Sequence, residues 1–361
     1  MTPAPHGAFQ YVPVVKTLRG EFDALAQVSR SVRERLTPLI EPTVRAGDEP
    51  PGPRSIIARA GAELNGIFGI DRPFFIDPRW LSPRSTVELG SGIRRPAIEH
   101  VLGDCAAFAL QAIPVFGLDD DATYERLVAR TIGLDRGACA RVNIVNALSS
   151  AGRPLAQQLE RRLDGLGVPL AQADLFLDLG HLGQEPGFTS ADLLRRLRDL
   201  EDLGRWRTVI LAGTVVPPDL RAMPEFTVRV LERLEWALWS EIERSGETPR
   251  LTYGDYLIQN PQPPMAKARR MKANIRYSTR KSLIIVRGSA MRRGGQQYRR
   301  LARILTSRSD FDGPAAGWAD AQIDGCARGI ILPTTAQEWR AIGTARHLQM
   351  TTTALAERET A

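Results

Sequence analysis

The sequence predicts an α/β fold: a (β/α)8 TIM-like barrel, with a basic β-hairpin inserted in the last βα loop and a C-terminal helical extension. Three observations predict it. Eight short β-branched or aromatic runs alternate with helical stretches over about 260 residues, the dimensions of such a barrel. Polar residues recur where those runs end: Lys16, Glu41, Asp77, Asn146, Asp178, Thr214 and Asp255. No G-x-G-x-x-G follows the first run, so the competing doubly wound dinucleotide-binding sheet lacks its fingerprint.

The elements follow in order. YVPVVK (11–16) precedes a helix over 21–36 with Phe22, Leu25, Ala26 and Val32 on one face. LTPLIEP (36–42) is followed by a Pro-rich loop and a helix over 55–68. PFFIDPRW (73–80) leads to a helix over 92–108, and AIPVFGL (112–118) to one over 122–133. CARVNIVNAL (139–148) leads to a helix over 154–166, where Pro154 suits a first turn. ADLFLDLG (173–180) leads to a helix over 190–203, with Ser190 as N-cap and Gly204 behind it. RTVILAGTVV (207–216) precedes a helix over 226–243, and RLTYGDYLI (250–258) is the eighth run.

Beyond it the pattern changes. NIRYST (274–279) and SLIIVRG (282–288) read as a hairpin turning at Arg280–Lys281. A helix over 295–306, carrying Tyr298, Leu301, Ala302 and Leu305, is expected to close the barrel as its last helix. The tail adds 323–331 and a final helix from about Ala336, with Trp339, Ile342, His347 and Leu348. The expected division is a barrel over 1–310, with the basic insertion at 256–294, and an extension over 311–361.

Length and composition bound the function. The 361 residues are 43% hydrophobic and 25% charged, ordinary globular values that exclude a disordered chain. No apolar run is long enough to span a membrane, and the opening MTPAPHGAFQ lacks a signal peptide's pattern. Three cysteines without C-x-x-C spacing argue against a disulfide framework or zinc site. The expectation is a cytoplasmic protein with no membrane partner. Of 48 Lys and Arg, 14 fall between Tyr256 and Ser309, where there is no Asp or Glu. The remaining 34 basic residues face 41 acidic ones, so this segment supplies the whole +7 excess. Such segregation points to nucleic acid, another polyanion, or a companion protein with an acidic surface.

Strand ends of a barrel gather at one mouth, where barrel proteins carry their chemistry. Lys16, Glu41, Asp77 and Asp178 are therefore the catalytic candidates. Converging carboxylates suit Mg²⁺ or Mn²⁺ or acid–base work, and Lys16 suits an anion; the plainer alternative is ion pairing with Glu41 and Arg79. For binding a phosphate-rich ligand, the candidates are Arg79, Tyr253, Asp255, Arg276, Tyr277, Arg280, Lys281 and Arg287. This pictures the hairpin overhanging the mouth. His181 is more simply a loop histidine, and no histidine spacing suits zinc. No P-loop, G-x-S-x-G elbow or Cys–His pair occurs.

YVPVVKTLRGEFDAL and LTPLIEP at the start, with ANIRYSTRKSLIIVRG, GGQQYRRLARIL and EWRAIGTARHL toward the end, resemble the bacteriophage beta-protein family. FFIDPRW, LFLDLG and YGDY carry the likeness through the middle, so it spans about Tyr11 to Leu348. One departure is the single His347, where relatives often carry two adjacent histidines. The resemblance implies a barrel-like fold and a place in phage–host conflict, and it names no catalytic residues. Three functions stay open: a barrel binding a phosphate-rich ligand or nucleic acid at its mouth, a metal-dependent phosphodiesterase or nuclease, and a non-catalytic interaction subunit of a multi-protein defence system.

Overall fold

The computed structural model describes residues 10–44, 51–82, 84–118, 120, 122–131, 133–144, 155–183, 189–200, 203–262, 272–290 and 296–359. Asn146, Pro154 and the basic residues Lys267, Arg269, Arg270, Arg292 and Arg293 lie outside them.

The strands are β1 (Tyr11–Lys16), β2 (Leu39–Glu41), β3 (Pro73–Ile76), β4 (Thr86–Glu88), β5 (Arg94–Pro96), β6 (Gln111–Phe116), β7 (Ala138–Asn143), β8 (Ala173–His181), β9 (Thr208–Thr214), β10 (Val228–Glu232), β11 (Leu251–Asp255), β12 (Lys272–Ser278) and β13 (Ser282–Ala290). Eight of them, in the order β1-β11-β9-β8-β7-β6-β3-β2, form a closed parallel barrel. Closure is made by β1, which pairs Val14 with Leu39 of β2 and Tyr11 with Tyr253 of β11.

The two-residue period of each strand sorts side chains between two cores. Val12, Val14, Leu39, Phe75, Ile113, Val115, Cys139, Phe176, Ile210 and Ala212 fill the barrel interior. Tyr11, Val15, Ile40, Phe74, Ile76, Leu175, Leu177 and Tyr253 alternate with them and face the helical layer. Gly254 falls on an inward position, where a Cβ would come within 2.9 Å of both the Val12 carbonyl oxygen and the Ala212 methyl.

Several elements differ from expectation. The first helical stretch breaks into Arg19–Gln27 and Arg30–Arg33, with the Ser29 side chain accepting from Val32 N at the break. The N-cap of the helix Ser190–Asp199 is Thr189, in a capping box with Asp192. The 226–243 region is strand β10 followed by the helix Leu234–Ser245, because the alternating TVRVLE pairs antiparallel with β13. The insertion is therefore a three-stranded sheet, β10-β13-β12, drawing on two different βα connections.

The helix that completes the ring is also a different one. Gln296–Thr306 packs on β12, β13 and the helix Trp318–Arg328, within the insertion. Ala336–Glu359 closes the barrel instead, lying along Arg19–Gln27. The approach is close: a Cβ on Gly20 would stand 2.5 Å from the Gln337 carbonyl oxygen. At its far end Glu359 pairs with Arg250, just before β11, and Arg35, before β2. The closing helix thus descends the flank from the mouth to the N-terminal ends of the strands.

Candidate functional site

The inward parity that places Val14, Leu39, Phe75, Cys139 and Phe176 in the core places Lys16, Glu41, Asp77, Arg141 and Asp178 two residues further on, at the mouth. Arg141 sits at the centre. Its Nη1 donates to Glu41 Oε1 at 2.8 Å and to Asp77 Oδ2 at 2.7 Å. Nε and Nη2 reach Asp178 Oδ2 at 3.1 and 2.8 Å, and Nη2 donates to the Tyr256 hydroxyl at 2.5 Å. The Tyr256 hydroxyl in turn donates to Asp178 Oδ2 at 2.6 Å. The guanidinium carbon lies 4.8 Å over the Phe176 ring. Lys16 Nζ pairs with Glu41 Oε2 at 3.3 Å and donates to the Asn260 carbonyl at 3.1 Å. Trp80 Nε1 donates to the same Glu41 oxygen at 3.0 Å. Arg79 Nε binds Asp77 Oδ2 at 2.8 Å, and its Nη1 stands 3.7 Å from Asp178.

Three cations meet three anions here, and nearly all are desolvated: Lys16 is 1% exposed and Arg141 3%. Arg79, with its side chain 33% exposed, is the member solvent reaches. Burial by itself raises a carboxyl's pKa, but Lys16 and Arg141 outweigh it at Glu41 and hold that group at about 2. Glu21 lies just outside this balance. Its Oε2 accepts the Lys16 backbone N–H at 2.7 Å, its buried Oε1 has no partner, and burial pushes its pKa to about 7. Leu257, directly after Tyr256, is held at φ +56° with its N–H on Asp255 Oδ1; a bulky residue in that region is strained.

The sequence-derived catalytic candidates Lys16, Glu41, Asp77 and Asp178 thus stand in one cluster, with Arg79 at its edge. The ring of metal-binding carboxylates does not form. The guanidinium of Arg141 occupies the space between them, so these residues do not fit Mg²⁺ or Mn²⁺. Among the described residues, no group of three or more His, Cys, Asp and Glu is placed to hold a metal. Arg141, which the sequence did not single out, and Tyr256, part of the polar YGDY run at the eighth strand, complete the cluster. The signal for Arg141 was its spacing, two residues after Cys139 within an apolar run.

The other ligand candidates lie elsewhere. Tyr253 and Asp255 have outward parity, because successive side chains alternate faces. Asp255 accepts from Tyr11 (2.7 Å), Tyr253 (3.0 Å), Arg233 (3.2 Å) and His347 Nε2 (2.7 Å). His347, Arg233 and Tyr11 overcome burial to hold Asp255 at about 2. Facing an ionised Asp255, His347 carries its proton on Nε2, and Nδ1 accepts from Ser278 Oγ at 2.7 Å. This Ser–His–Asp chain is fully enclosed, with Ser278 0% exposed, so it ties the closing helix to barrel and hairpin rather than presenting a nucleophile.

The hairpin does not overhang the mouth. Its turn residue Arg280 pairs with Glu357 at 2.9 Å, in the last turns of the descending helix, so the tip points toward the opposite end; Lys281 is exposed beside it. Arg276 donates to the Ile258 carbonyl, and Arg287 to the carbonyls of Leu220 and Arg221. Tyr277 is buried, donating to Asp320 at 2.8 Å beneath the Arg346 guanidinium. Arg276, Arg287 and Tyr277 thus serve packing, the two arginines by satisfying backbone carbonyls in a segment that has no acids of its own.

Comparisons with known proteins add the lineage. No curated protein matches. Among solved structures, triosephosphate isomerase from Bartonella henselae is similar at 12% identity, covering 68% of this chain and 91% of that one with a TM-score of 0.34. A glycoside hydrolase family 20 β-N-acetylglucosaminidase is similar at 10% identity, covering 60% and 57% with a TM-score of 0.27. Likeness that low leaves the strand pairing itself to establish the barrel. The family model described as Beta protein matches residues 11–352, nearly the whole chain, and the protein belongs to that family.

Proposed function

We propose that this phage beta-like barrel protein binds a phosphate-bearing ligand at the barrel mouth, with Arg79 as first contact and Lys16 and Arg141 beneath it. The observation that carries the reading is the desolvated six-charge cluster. Well-packed apolar residues of similar volume are often as stable as a buried ion network, so stability alone gives little reason to keep one. It lies at the end of the barrel where site residues gather, beside the strained Leu257. Guanidinium forks match the oxygens of a phosphate. A ligand phosphate takes Arg79 in exchange for Asp77, which keeps its bond to Arg141.

The burial of Lys16 and Arg141 favours a terminal or small phosphate over the side of a duplex, whose phosphates stay at the surface. No catalytic step is assigned. Titration calorimetry with inorganic phosphate and with a mononucleotide, in the presence of EDTA, tests the reading. Binding weakened at least about tenfold by Arg79→Ala supports it, since losing a charged hydrogen bond is worth about that much. Binding that needs a divalent metal, or that ignores Arg79→Ala, or no binding of either probe, overturns it.

A further inference from the structure

A second surface lies away from the barrel mouth, on the insertion. The helix Gln296–Thr306 carries Arg299, Arg300 and Arg303 and no acidic residue. Arg299 Nη2 donates to the Arg328 carbonyl at 3.3 Å and Arg303 Nε to the Ala327 carbonyl at 3.0 Å. Both guanidiniums therefore sit at the C-terminal end of the helix Trp318–Arg328, where the helix dipole draws positive charge. Carbonyls orient the cations without neutralising them. Among the described residues, none of these three arginines forms an ion pair with a carboxylate.

The chain then turns at Gly329, against which the Arg299 guanidinium lies. Ile330 follows, 66% exposed, and Leu332, 46% exposed, while Ile331 between them packs on Gly325. Of the large exposed hydrophobics among the described residues, only this pair falls within two positions of each other. The corner thus offers two adjacent apolar anchors beside two uncompensated cations, Arg299 and Arg303.

We infer that this corner docks an acidic segment of another protein, whose own apolar side chains seat on Ile330 and Leu332. Charge complementarity identifies the partner as acidic. The anchors identify it as a polypeptide. Single-stranded nucleic acid stacks its bases on exposed aromatic rings, and none is free here. The Phe226 ring is covered by Arg300 at 3.9 Å, and Tyr298 is buried, stacked on Trp339. This inference does not rest on the mouth, so either can fail without the other.

Fluorescence anisotropy on the full chain provides the test. The probes are a labelled peptide of alternating Glu and Leu, the same peptide with every Leu replaced by Ser, and a single-stranded oligonucleotide. The Glu–Leu peptide is expected to bind, with the Ser peptide at least about tenfold weaker, the scale of losing a central apolar anchor. Ile330→Ser and Leu332→Ser should each weaken the Glu–Leu peptide with Tm unchanged, because both side chains are exposed. Arg303→Gln should lower affinity most at low salt and flatten its dependence on salt, because one screened charge contact is lost. Equal binding of the two peptides, binding indifferent to Ile330→Ser, or no binding overturns the inference. An oligonucleotide that binds more tightly than the Glu–Leu peptide overturns it in favour of a polyanion surface.

Discussion

Arg141 stands between Ala140 and Val142 on a strand buried along most of its length, and its five N–H donors are shared among Glu41, Asp77, Asp178 and Tyr256. Removing it leaves three carboxylates facing one another without solvent. Arg141→Ala is expected to cost about 3–5 kcal/mol, the usual penalty for breaking a buried charge network from one side. Urea unfolding at neutral pH measures it, and the cost should shrink in acid as Glu41 protonates. Glu21 behaves in the opposite sense to Glu41. Its pKa rises from 4.5 to about 7 on folding, so between those values the folded protein holds a proton that the unfolded chain has released. Stability therefore falls as pH rises through that window. Glu235, buried beside Arg233 and also raised to about 7, acts in the same direction. Each contributes a loss of about 3 kcal/mol by linkage. Glu21→Gln should flatten the profile and gain stability at pH 8; urea midpoints between pH 5 and pH 8 that run parallel to wild type would refute this assignment.

At the scale of elements, the basic insertion shows why a charge pattern is a poor guide to where charges point. The fourteen-cation segment is real, and the hairpin falls within two residues of its expected position. Whether its arginines face outward depended on β10, which completes the sheet, and on Trp318–Arg328, whose carbonyls two of them bind. Neither is near in sequence. Tyr277 is a packing residue here, donating to Asp320 and accepting from Asp312 N at 3.0 Å. Tyr277→Phe should lower stability by about 1–2 kcal/mol, the cost of leaving buried partners unsatisfied. It should leave phosphate binding unchanged in calorimetry; a loss of binding would place Tyr277 at the ligand after all.

At the scale of the whole molecule, Ala336–Glu359 joins barrel and insertion. His347 bonds to Asp255 of β11 and Ser278 of β12, and Arg346 bonds to Asp320 and the Ser278 carbonyl. The same helix lies along the first barrel helix. Barrel and insertion are therefore expected to unfold together, in a single calorimetric transition with calorimetric and van't Hoff enthalpies equal. Two resolved transitions would show that the links through His347 and Arg346 are too weak to couple them. Truncation after residue 335 should abolish folding of both parts, seen as loss of near-ultraviolet circular dichroism.

Alternation and period by themselves determined the eight-stranded ring and the convergence of Lys16, Glu41, Asp77 and Asp178, because inward parity is a property of each strand alone. The hairpin of the insertion was equally legible, as two short β runs. Which helix closes the ring, which way the hairpin runs, and what stands among the carboxylates were decided only in three dimensions. Each depends on contacts between segments up to about a hundred residues or more apart, such as Arg141 with Glu41 and Gly20 with Gln337. Local sequence carries no information about which distant partner will satisfy a buried charge, and that choice is what separates a metal site from a salt-bridged one.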